Sequence, residues 1–516
     1  MTSSGDSNFL TALTGTTSPC NFPAEQAVNP PVPPPPTPRL SSPRMKPCFR
    51  LPSLATAFFL LVSPLAFGEN NSSWPSWRGP AGTGVAPGAQ PPTTWSDQQN
   101  LRWKAKIPGY GFSTPIIWKD KIYLLAAIET GEVKPGATDS TPSTPPPPRP
   151  GPPPGGGDPK GRGGKGGKGG KGGPGGFGGG AKPTKVHEFV VIAVERSTGK
   201  IAWQKTARRE VPHEGHHPTN SFASSSPVTD GERLYVSFGS RGLYCYDLAG
   251  NLQWEKDLGD MQTRNGFGEG SSPALAGGNL IVPWDHEGGS FVVALDKKTG
   301  REVWRKSRDE RSSWSTPVIV EVGGKLQAII AATNRTRSYD TATGEIVWEA
   351  AGLTPNVIPT PVTGHGMIYV TSGFQGYSLQ AIKLTSRGDV SDSGNIVWNV
   401  RKSTPYVPSP VLSGDRIFFS KSNDAYLSCL NALTGEIHYQ DQPLEGLRGI
   451  YASPLAANGH LYVVGREGLV MVLKDSTKFE VVAKNQLNDR IDASPVMVDR
   501  ELFLRGHDFL YCIAEG

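Results

Sequence analysis

Three histidines lie within five residues of this chain, at His213, His216 and His217. Imidazole nitrogens and carboxylates are common ligands of transition metals, and Asp285 with His286 forms a second group of such side chains. The spacing of the two groups matches no established metal-binding motif. We therefore predict no metal site. The alternative is a bound metal ion, for which these five residues would be the ligands.

The sequence offers few residues for catalysis. Asp285 and Glu287 could serve as a carboxylate pair in a hydrolase, but two alternate residues of one loop need not converge on a substrate. No zincin, nucleophile-elbow, phosphate-loop or dinucleotide motif is present, and no Cys-x-x-Cys-His site for haem. We predict no catalytic residues and favour a binding or scaffold role.

The elements that carry these residues are repeated. Each repeat begins with a Ser/Thr-Pro step and an apolar run, continues through short β-rich runs separated by Gly, Asn or Asp turns, and ends with an aromatic strand. A period of about 45 residues with four strands is typical of a β-propeller blade. The sequence therefore predicts an all-β fold, an eight-bladed β-propeller. The prolines that mark the blades are Pro115, Pro227, Pro273, Pro317, Pro361, Pro410, Pro454 and Pro495.

The two ends of the propeller are predicted to complete one blade. The eighth repeat supplies only three strands, and residues 101–105 resemble a fourth strand that precedes the first proline. Pairing these segments removes two exposed sheet edges. The recurring aromatic residues are interpreted as wedges between neighbouring blades. They are Trp203, Trp254, Trp304, Trp348, Trp398 and Tyr439.

The loops of the predicted propeller fall into two sets. Loops between blades, and those between second and third strands, lie on one face, and they carry Trp, Arg, His and Asn residues that a simple turn does not require. Some of these residues are expected to form structural ion pairs between blades, and the others to line a ligand-binding funnel. The predicted funnel residues are His216, Asn220, Arg264, Trp284, Asp285, His286, Trp314, Asn334, Arg335, Asn356, Arg448, Tyr451, Arg466 and His507.

Three cysteines lie within the repeats, at Cys245, Cys429 and Cys512. They share the third-strand position that alanine holds in other repeats, where a small buried group is needed. They belong to blades two, six and eight, which are not neighbours, so they should lie beyond disulfide reach. We predict buried free thiols.

The N-terminal region has the features of an export signal. A basic segment, an apolar run and a small-residue cleavage site near Gly68 predict a signal peptide at residues 45–68, without a transmembrane segment. Residues 1–44 are interpreted as a disordered Pro-rich extension or as a misassigned start, with Met45 as the true first residue. The protein is therefore expected to be periplasmic or secreted.

The remaining sequence divides into an N-terminal arm at residues 69–100 and the propeller at residues 101–516. A Pro/Gly/Lys-rich insert at residues 129–187 is too poor in apolar side chains to fold and is predicted to be disordered. The insert carries a net charge of +5 and residues 1–68 carry +2, which leaves −1 on the rest. A nearly neutral body argues against a nucleic-acid-binding protein.

The repeats resemble the pyrroloquinoline-quinone (PQQ) repeat. Residues 294–304 read ALDKKTGREVW and residues 193–203 read AVERSTGKIAW. The resemblance covers residues 101–516, and the segment WPSWRGP at residues 74–80 is similar to the opening of exported PQQ-like propellers of the planctomycete type. Such repeats build eight-bladed quinoprotein alcohol dehydrogenases and also the non-catalytic outer-membrane assembly factor BamB.

The resemblance implies two functions. A quinoprotein-type oxidoreductase would bind PQQ with calcium over the central channel, using an adjacent Cys-Cys disulfide and a Glu/Asn/Asp calcium set, but this chain has no adjacent cysteines. A BamB-like protein would bind partners in the cell envelope without catalysis, although the lipid-attachment cysteine of that family is missing. Our leading hypothesis is a non-catalytic binding or scaffold module for a protein, peptide or glycan. The quinoprotein is the alternative.

Overall fold

The computed structural model describes residues 73–134 and 180–515. The predicted extension and signal peptide lie outside the described residues, as does most of the predicted insert. The described segments contain 34 strands and two short 3-10 turns, Gly239–Arg241 and Arg264–Gly266. In this part of the chain, no helix is long and apolar enough to cross a membrane.

The first half of the chain forms an arm strand, a closing strand and blades 1 to 4. Strand β1 covers Ser73–Trp74 and β2 covers Leu101–Lys106. Blade 1 contains β3 (Ile116–Trp118), β4 (Lys121–Val133), β5 (Lys185–Glu195) and β6 (Ile201–Glu210). Blade 2 contains β7 (Val228–Thr229), β8 (Arg233–Ser237), β9 (Leu243–Asp247) and β10 (Leu252–Lys256). Blade 3 contains β11 (Ala274–Ala276), β12 (Asn279–Trp284), β13 (Phe291–Asp296) and β14 (Glu302–Ser307). Blade 4 contains β15 (Val318–Val322), β16 (Lys325–Ile330), β17 (Thr336–Asp340) and β18 (Ile346–Ala350).

The second half forms blades 5 to 8. Blade 5 contains β19 (Val362–Gly364), β20 (Met367–Ser372), β21 (Ser378–Lys383) and β23 (Ile396–Val400), while β22 (Gly388–Asp389) pairs in parallel with β18 of blade 4. Blade 6 contains β24 (Val411–Ser413), β25 (Arg416–Ser420), β26 (Tyr426–Asn431) and β27 (Ile437–Pro443). Blade 7 contains β28 (Leu455–Ala457), β29 (His460–Val464), β30 (Leu469–Lys474) and β31 (Val481–Gln486). Blade 8 contains β32 (Val496–Val498), β33 (Glu501–Arg505) and β34 (Phe509–Ile513).

The blades are antiparallel sheets whose middle strands are buried on both faces by their neighbours. Their continuous apolar runs follow from this double burial. Outermost strands alternate instead: in β2 the odd positions are half-buried and the even positions are exposed. The predicted eight-bladed β-propeller of four-stranded blades is confirmed.

Ring closure also follows the prediction. Strand β2 pairs with β34 as the fourth strand of blade 8, with Trp103 opposite Cys512 and Lys106 opposite Phe509. Between blades 8 and 1, the Arg505 Nη1 donates to the Ser113 carbonyl oxygen at 3.0 Å. The first and last repeats are thus joined by a complete sheet and by buried hydrogen bonds.

A circle of hydrogen bonds surrounds the channel axis. In each blade the residue before the repeat proline is Ser or Thr, and its backbone N–H donates to the corresponding hydroxyl of the next blade, at 2.9–3.3 Å. The last link, from Ser494 N–H to Thr114 Oγ1, closes the circle. We call these eight residues the hydroxyl ring. They are Thr114, Ser226, Ser272, Thr316, Thr360, Ser409, Ser453 and Ser494.

The repeated tryptophans connect neighbouring blades as predicted. The Trp254 indole of blade 2 donates to the Lys297 carbonyl oxygen of blade 3 at 3.1 Å, and Trp203, Trp304 and Trp398 make the same kind of bond. The ring of Trp254 covers Gly300, where an added Cβ would lie 2.7 Å from the indole. The φ of +70° at Gly300 also favours glycine. The aromatic side chain of one blade therefore packs against the Thr-Gly turn of the next blade, which explains why both recur in the repeats.

The N-terminal arm closes one end of the central channel. Strand β1 pairs with β3 of blade 1, and Ala86 N–H donates to the Ala456 carbonyl oxygen of blade 7. Between these points, Arg78 donates to the Pro454 and Pro410 carbonyl oxygens, each at 2.7 Å. We call residues 74–86 the plug, because they run from blade 1 across the channel to blades 6 and 7.

The strands of blade 1 extend into the predicted insert. Strand β4 continues to Val133 and β5 begins at Lys185, with Val133 paired to Lys185. The hairpin therefore takes residues from both ends of the 129–187 range, because polar side chains are tolerated where strands leave the core. Residues 135–179 lie outside the described residues.

The three cysteines are buried and free in the described segments. Each lies in the third strand of its blade, as predicted. Burial raises the pKa of the Cys245, Cys429 and Cys512 thiols to about 12. These thiols are therefore neutral packing groups at physiological pH.

Candidate functional site

A cavity of about 800 Å³ occupies the open end of the channel. We call it the funnel cavity. Its walls come from loops between blades, with one contribution from the loop between the second and third strands of blade 5. This is the face that loop chemistry predicted to carry binding groups. A cavity of this size is large enough for a drug-sized ligand or for the end of a chain molecule.

The floor of the funnel cavity is the hydroxyl ring. All eight ring residues line it, and each hydroxyl oxygen already accepts one backbone N–H. Among the described residues, no acceptor is found for the eight hydroxyl protons. From the plug, the Trp77 Nε1 donates to Thr360 Oγ1 at 2.9 Å, so an indole closes the floor beside the ring. The floor therefore presents hydrogen-bond donors around an apolar centre.

Aromatic side chains form much of the wall. The rings of Phe374 and Tyr406 stack at a centroid distance of 5.0 Å. The Trp314 indole is fixed by donation from its Nε1 to the Gly268 carbonyl oxygen at 2.7 Å. Rigid aromatic rings offer large contact areas at low entropic cost. The lining aromatic residues are Trp77, Phe112, Phe267, Trp314, Phe374, Tyr406 and Tyr451.

Two polar side chains face each other across the wall. Arg264 begins a 3-10 turn and donates from Nη1 to Asn356 Oδ1 at 3.0 Å. Asn356 adopts a φ of +57°, which asparagine tolerates better than most residues. The Asn356 amide nitrogen also lies 3.5 Å from the Tyr406 hydroxyl. A cation and an amide are thus held in place at the cavity surface.

Asp492 is the acidic residue of the cavity lining. Its oxygens accept hydrogen bonds from Arg466 Nε at 2.6 Å and from His507 Nε2 at 3.0 Å. Burial alone would raise the pKa of Asp492, but these two hydrogen bonds outweigh it, and the pKa is lowered. The Arg466 guanidinium also lies 4.2 Å from the Tyr451 ring centroid. This cluster holds the wall in place between blades 7 and 8. The charge of the Asp492 carboxylate is paired with Arg466.

The cavity is close to neutral. Burial lowers the pKa of His217, which lines the wall, so its imidazole is uncharged at pH 7. Asp492 is balanced by Arg466. Of the lining residues, Arg264 is the one cation without a carboxylate partner among the described ion pairs.

The structure divides the predicted funnel residues into three groups. Five of them line the funnel cavity together, and these are Asn220, Arg264, Trp314, Asn356 and Tyr451. Arg466 and His507 lie behind the wall, bound to Asp492. His216 is turned toward its own chain, with its Nδ1 2.8 Å from the His217 carbonyl oxygen.

The other predicted residues lie away from the funnel cavity. Trp284 is buried against Phe291, and the His286 Nδ1 accepts the Gln262 and Gly288 N–H groups. Asn334 and Arg335 bind neighbouring loops, and the Arg448 backbone N–H donates to Glu467. Sequence types alone could not separate these side chains from the lining residues, because structural ion pairs use the same amino acids.

Asp285 has a structural position. Its carboxylate accepts from Arg308 Nε at 2.7 Å and Nη2 at 3.0 Å, and both side chains are almost fully buried. Burial acts to lower the pKa of Arg308, but Asp285, together with Tyr339 and Glu310, outweighs burial and raises the pKa. The Ser313 hydroxyl completes the set by donating to Asp285 Oδ2. This carboxylate is committed to the junction between blades 3 and 4.

The floor of the cavity was not predicted from the sequence. Trp77 was not recognised, because its contact with Thr360 joins positions 283 residues apart and occurs once. The hydroxyl ring had a readable signal. All eight repeat prolines follow Ser or Thr, which is more regular than a turn at that point requires.

Comparison with known proteins supports the fold. The family described as outer membrane protein assembly factor BamB matches residues 173–286, 287–405 and 386–478, more than half of the chain. No curated protein sequence matches.

The solved structures that are similar to this chain include these three. The quinohemoprotein alcohol dehydrogenase of Comamonas testosteroni is 10% identical with a TM-score of 0.52, covering 86% of this chain and 81% of that chain. BamB of Moraxella catarrhalis is 16% identical with a TM-score of 0.46, covering 63% and 88%. The computationally designed protein Ika8 is 9% identical with a TM-score of 0.44, covering 64% and 92%. The dehydrogenase likeness shows the propeller fold. The family match over most of the propeller shows that this chain belongs to the PQQ-like family described as outer membrane protein assembly factor BamB.

Proposed function

We propose that this protein is a non-catalytic binding module whose ligand enters the funnel cavity. The observation that carries the proposal is the pairing of an aromatic wall with a floor of uncommitted hydroxyl donors. Such a surface suits an uncharged segment that is rich in hydrogen-bond acceptors, as a peptide or a glycan is. The family description, an outer membrane assembly factor, favours a protein partner in the cell envelope.

A quinone cofactor fits this cavity poorly. PQQ is a planar tricarboxylate, and its calcium ion requires additional oxygen ligands. Against these charges the cavity offers Arg264, while its one carboxylate, Asp492, already accepts from Arg466 and His507. The cavity therefore lacks enough positive charges to balance the three PQQ carboxylates, and it lacks a free carboxylate to bind calcium. We expect no saturable binding when PQQ and calcium are titrated into the protein, and binding with dye-linked turnover would reverse this conclusion.

The binding role is tested with variants of the wall. Immobilised protein is probed with an array of uncharged oligosaccharides and with unstructured neutral peptides from outer-membrane proteins. Trp314→Ala and Arg264→Ala should each weaken binding of the best probe at least tenfold, since Trp314 supplies contact area and Arg264 the exposed cation. Tyr426→Ala and Arg305→Ala are the matched controls, because both side chains are exposed and neither lines the funnel cavity.

Control variants that lose binding as severely as the wall variants would place the site elsewhere. Wild-type protein that binds neither probe class would contradict the proposed role.

We further propose that the protein is exported and is periplasmic or secreted. Cleavage near Gly68 would leave the plug intact, because its described contacts begin after that position. N-terminal sequencing of precursor and product should give Met45 as the first residue and a mature end near Gly68. Peptides from residues 1–44 in the cell would contradict the start at Met45.

A further inference from the structure

Three potential metal ligands meet beside the funnel wall. One ligand atom from each of His213, Glu214 and Glu269 lies within 4.8 Å of the others. His213 and Glu214 belong to the loop between blades 1 and 2, and Glu269 belongs to the loop between blades 2 and 3. Ligands about 2.1 Å from a zinc ion lie about 3.4 Å apart, so shifts of about 1 Å would complete the geometry.

Second contacts orient the first two ligands. The His213 Nε2 lies 2.6 Å from the Met261 carbonyl oxygen, and a proton held there leaves a lone pair on Nδ1, whose neighbour is Asp260 Oδ1 at 3.8 Å. Glu214 accepts hydrogen bonds from the Thr263 backbone N–H and hydroxyl. Backbone and hydroxyl donors of this kind are the usual supports of metal ligands.

Glu269 is held in the same manner. Its Oε2 accepts the Ser240 N–H at 2.7 Å, and its Oε1 accepts the Ser240 hydroxyl. The carboxylate lies directly against Gly239, where an added Cβ would be 1.4 Å from Oε2. Each carboxylate, with about four lone-pair positions, keeps at least one for a metal ion after these bonds.

A small cavity borders all three ligands. Its volume is about 50 Å³, enough for an ion with one or two waters. Ser225 also lines it, is 6% exposed, and has a buried Oγ without a hydrogen-bond partner among the described residues. A buried hydroxyl normally has a partner. A metal-bound water in the cavity would supply one.

The local charge also favours a cation. Glu214 and Glu269 bring two carboxylates to one small cavity. Arg241 lines the same cavity, but its two terminal nitrogens contact Glu210 and Asp260 at 3.0 Å and 2.7 Å. The guanidinium is therefore paired with Glu210 and Asp260, and no ion pair among the described residues joins it to Glu214 or Glu269.

We propose that His213, Glu214 and Glu269 bind one divalent transition-metal ion, of the Zn²⁺ or Mn²⁺ type, with Ser225 contacting a metal-bound water. Mixed imidazole and carboxylate ligands suit these ions. The ion joins two loops that also carry funnel residues, since Asn220 follows the first ligands and Arg264 precedes the third. Its role is structural: it fixes two loops of the funnel face.

The test uses the full chain after removal of metals with a chelator. ZnCl₂ or MnCl₂ is titrated by calorimetry, and the melting temperature is followed in parallel. We expect one ion per chain and a rise in melting temperature on binding. Glu269→Gln should lower the affinity at least tenfold, and His213→Asn, at a partly exposed position, should do the same without risk to the core.

Two matched controls keep the interpretation specific. Glu310→Gln removes another buried carboxylate that accepts backbone N–H groups, and His365→Asn removes another histidine whose Nε2 contacts a carbonyl oxygen. Both should bind the ion like the wild type. Absence of stoichiometric binding in the wild type, or equal binding in Glu269→Gln and His213→Asn, overturns the proposal and leaves a carboxylate pair that shares a proton.

Discussion

The closure region and the junction between blades 3 and 4 each bury an arginine, but the pKa of the buried arginine is lowered in the first and raised in the second. In the closure region, formed by the plug with blades 7, 8 and 1, Arg78 donates only to carbonyl oxygens, and burial lowers its pKa to about 9. At the junction, Arg308 is equally buried, but Asp285, with Tyr339 and Glu310, outweighs the effect of burial and raises the pKa. Similar burial therefore produces different electrostatics, depending on whether a carboxylate shares the site.

The surrounding cores differ in the same sense. The closure region contains the largest apolar cluster of the described residues, which includes Trp74, Trp95 and Phe503. The junction instead combines a small apolar cluster with a buried network in which Arg337 bonds Glu310 and Glu349. The closure region also contains charge pairs, since Arg196 of blade 1 contacts Asp499 and Glu501 of blade 8. The two regions therefore differ in how Arg78 and Arg308 are held and in the size of the apolar cluster around them.

Removing the closing segments should have the largest effect. Deletion of residues 69–107 takes away the plug and β2, exposes the edge of β34 and opens the largest apolar cluster. We expect aggregation or loss of cooperative unfolding, measured by light scattering and calorimetry. An unchanged melting temperature would mean that the closure region contributes little.

Breaking the charge pair at the junction should come next. Asp285→Asn leaves Arg308 buried without a counter-ion, a change that typically costs about 3–5 kcal/mol. The free energy of unfolding is measured by urea denaturation. A cost below about 1 kcal/mol would show that the pair is not needed at the junction.

Substitution of the plug arginine should cost less. Arg78→Met keeps much of the side-chain volume. It leaves carbonyl oxygens without a hydrogen-bond partner but leaves no unpaired charge, so we expect the free energy of unfolding to fall by no more than about 2 kcal/mol. The same urea titration applies. If Arg78→Met proved more damaging than Asp285→Asn, the distinction between the two regions would fail.

Acid should produce the smallest effect. Because the pKa of Asp492 is lowered in the folded state, its contribution is present above its unfolded pKa of about 3.9 and is lost as pH falls through the folded value. The melting temperature of the wild type should therefore fall more steeply below about pH 4 than that of Asp492→Asn. Parallel pH profiles would show that the pair with Arg466 does not contribute.

The repeated features were predictable from sequence, and the single-copy features were not. The blades, the closure by β2, the tryptophan wedges and the three buried thiols each follow a pattern that recurs eight times or shares a repeat position. Arg78 and Pro410 are 332 residues apart, and their contact is not repeated in other blades, so no local sequence pattern predicts it. Funnel residues remained mixed with ion-pair residues, because burial and partners, not residue types, separate Arg264 from Arg308.

The hydroxyl ring has a consequence for how such a protein can change in evolution. Each link joins one blade to the next, so a chain that gained or lost a repeat would have to alter the angle between every pair of blades before the final link could form. The hydrogen bonds around the channel axis would therefore disfavour duplication of a repeat. Lengthening of a peripheral hairpin, as between β4 and β5, leaves all eight links in place.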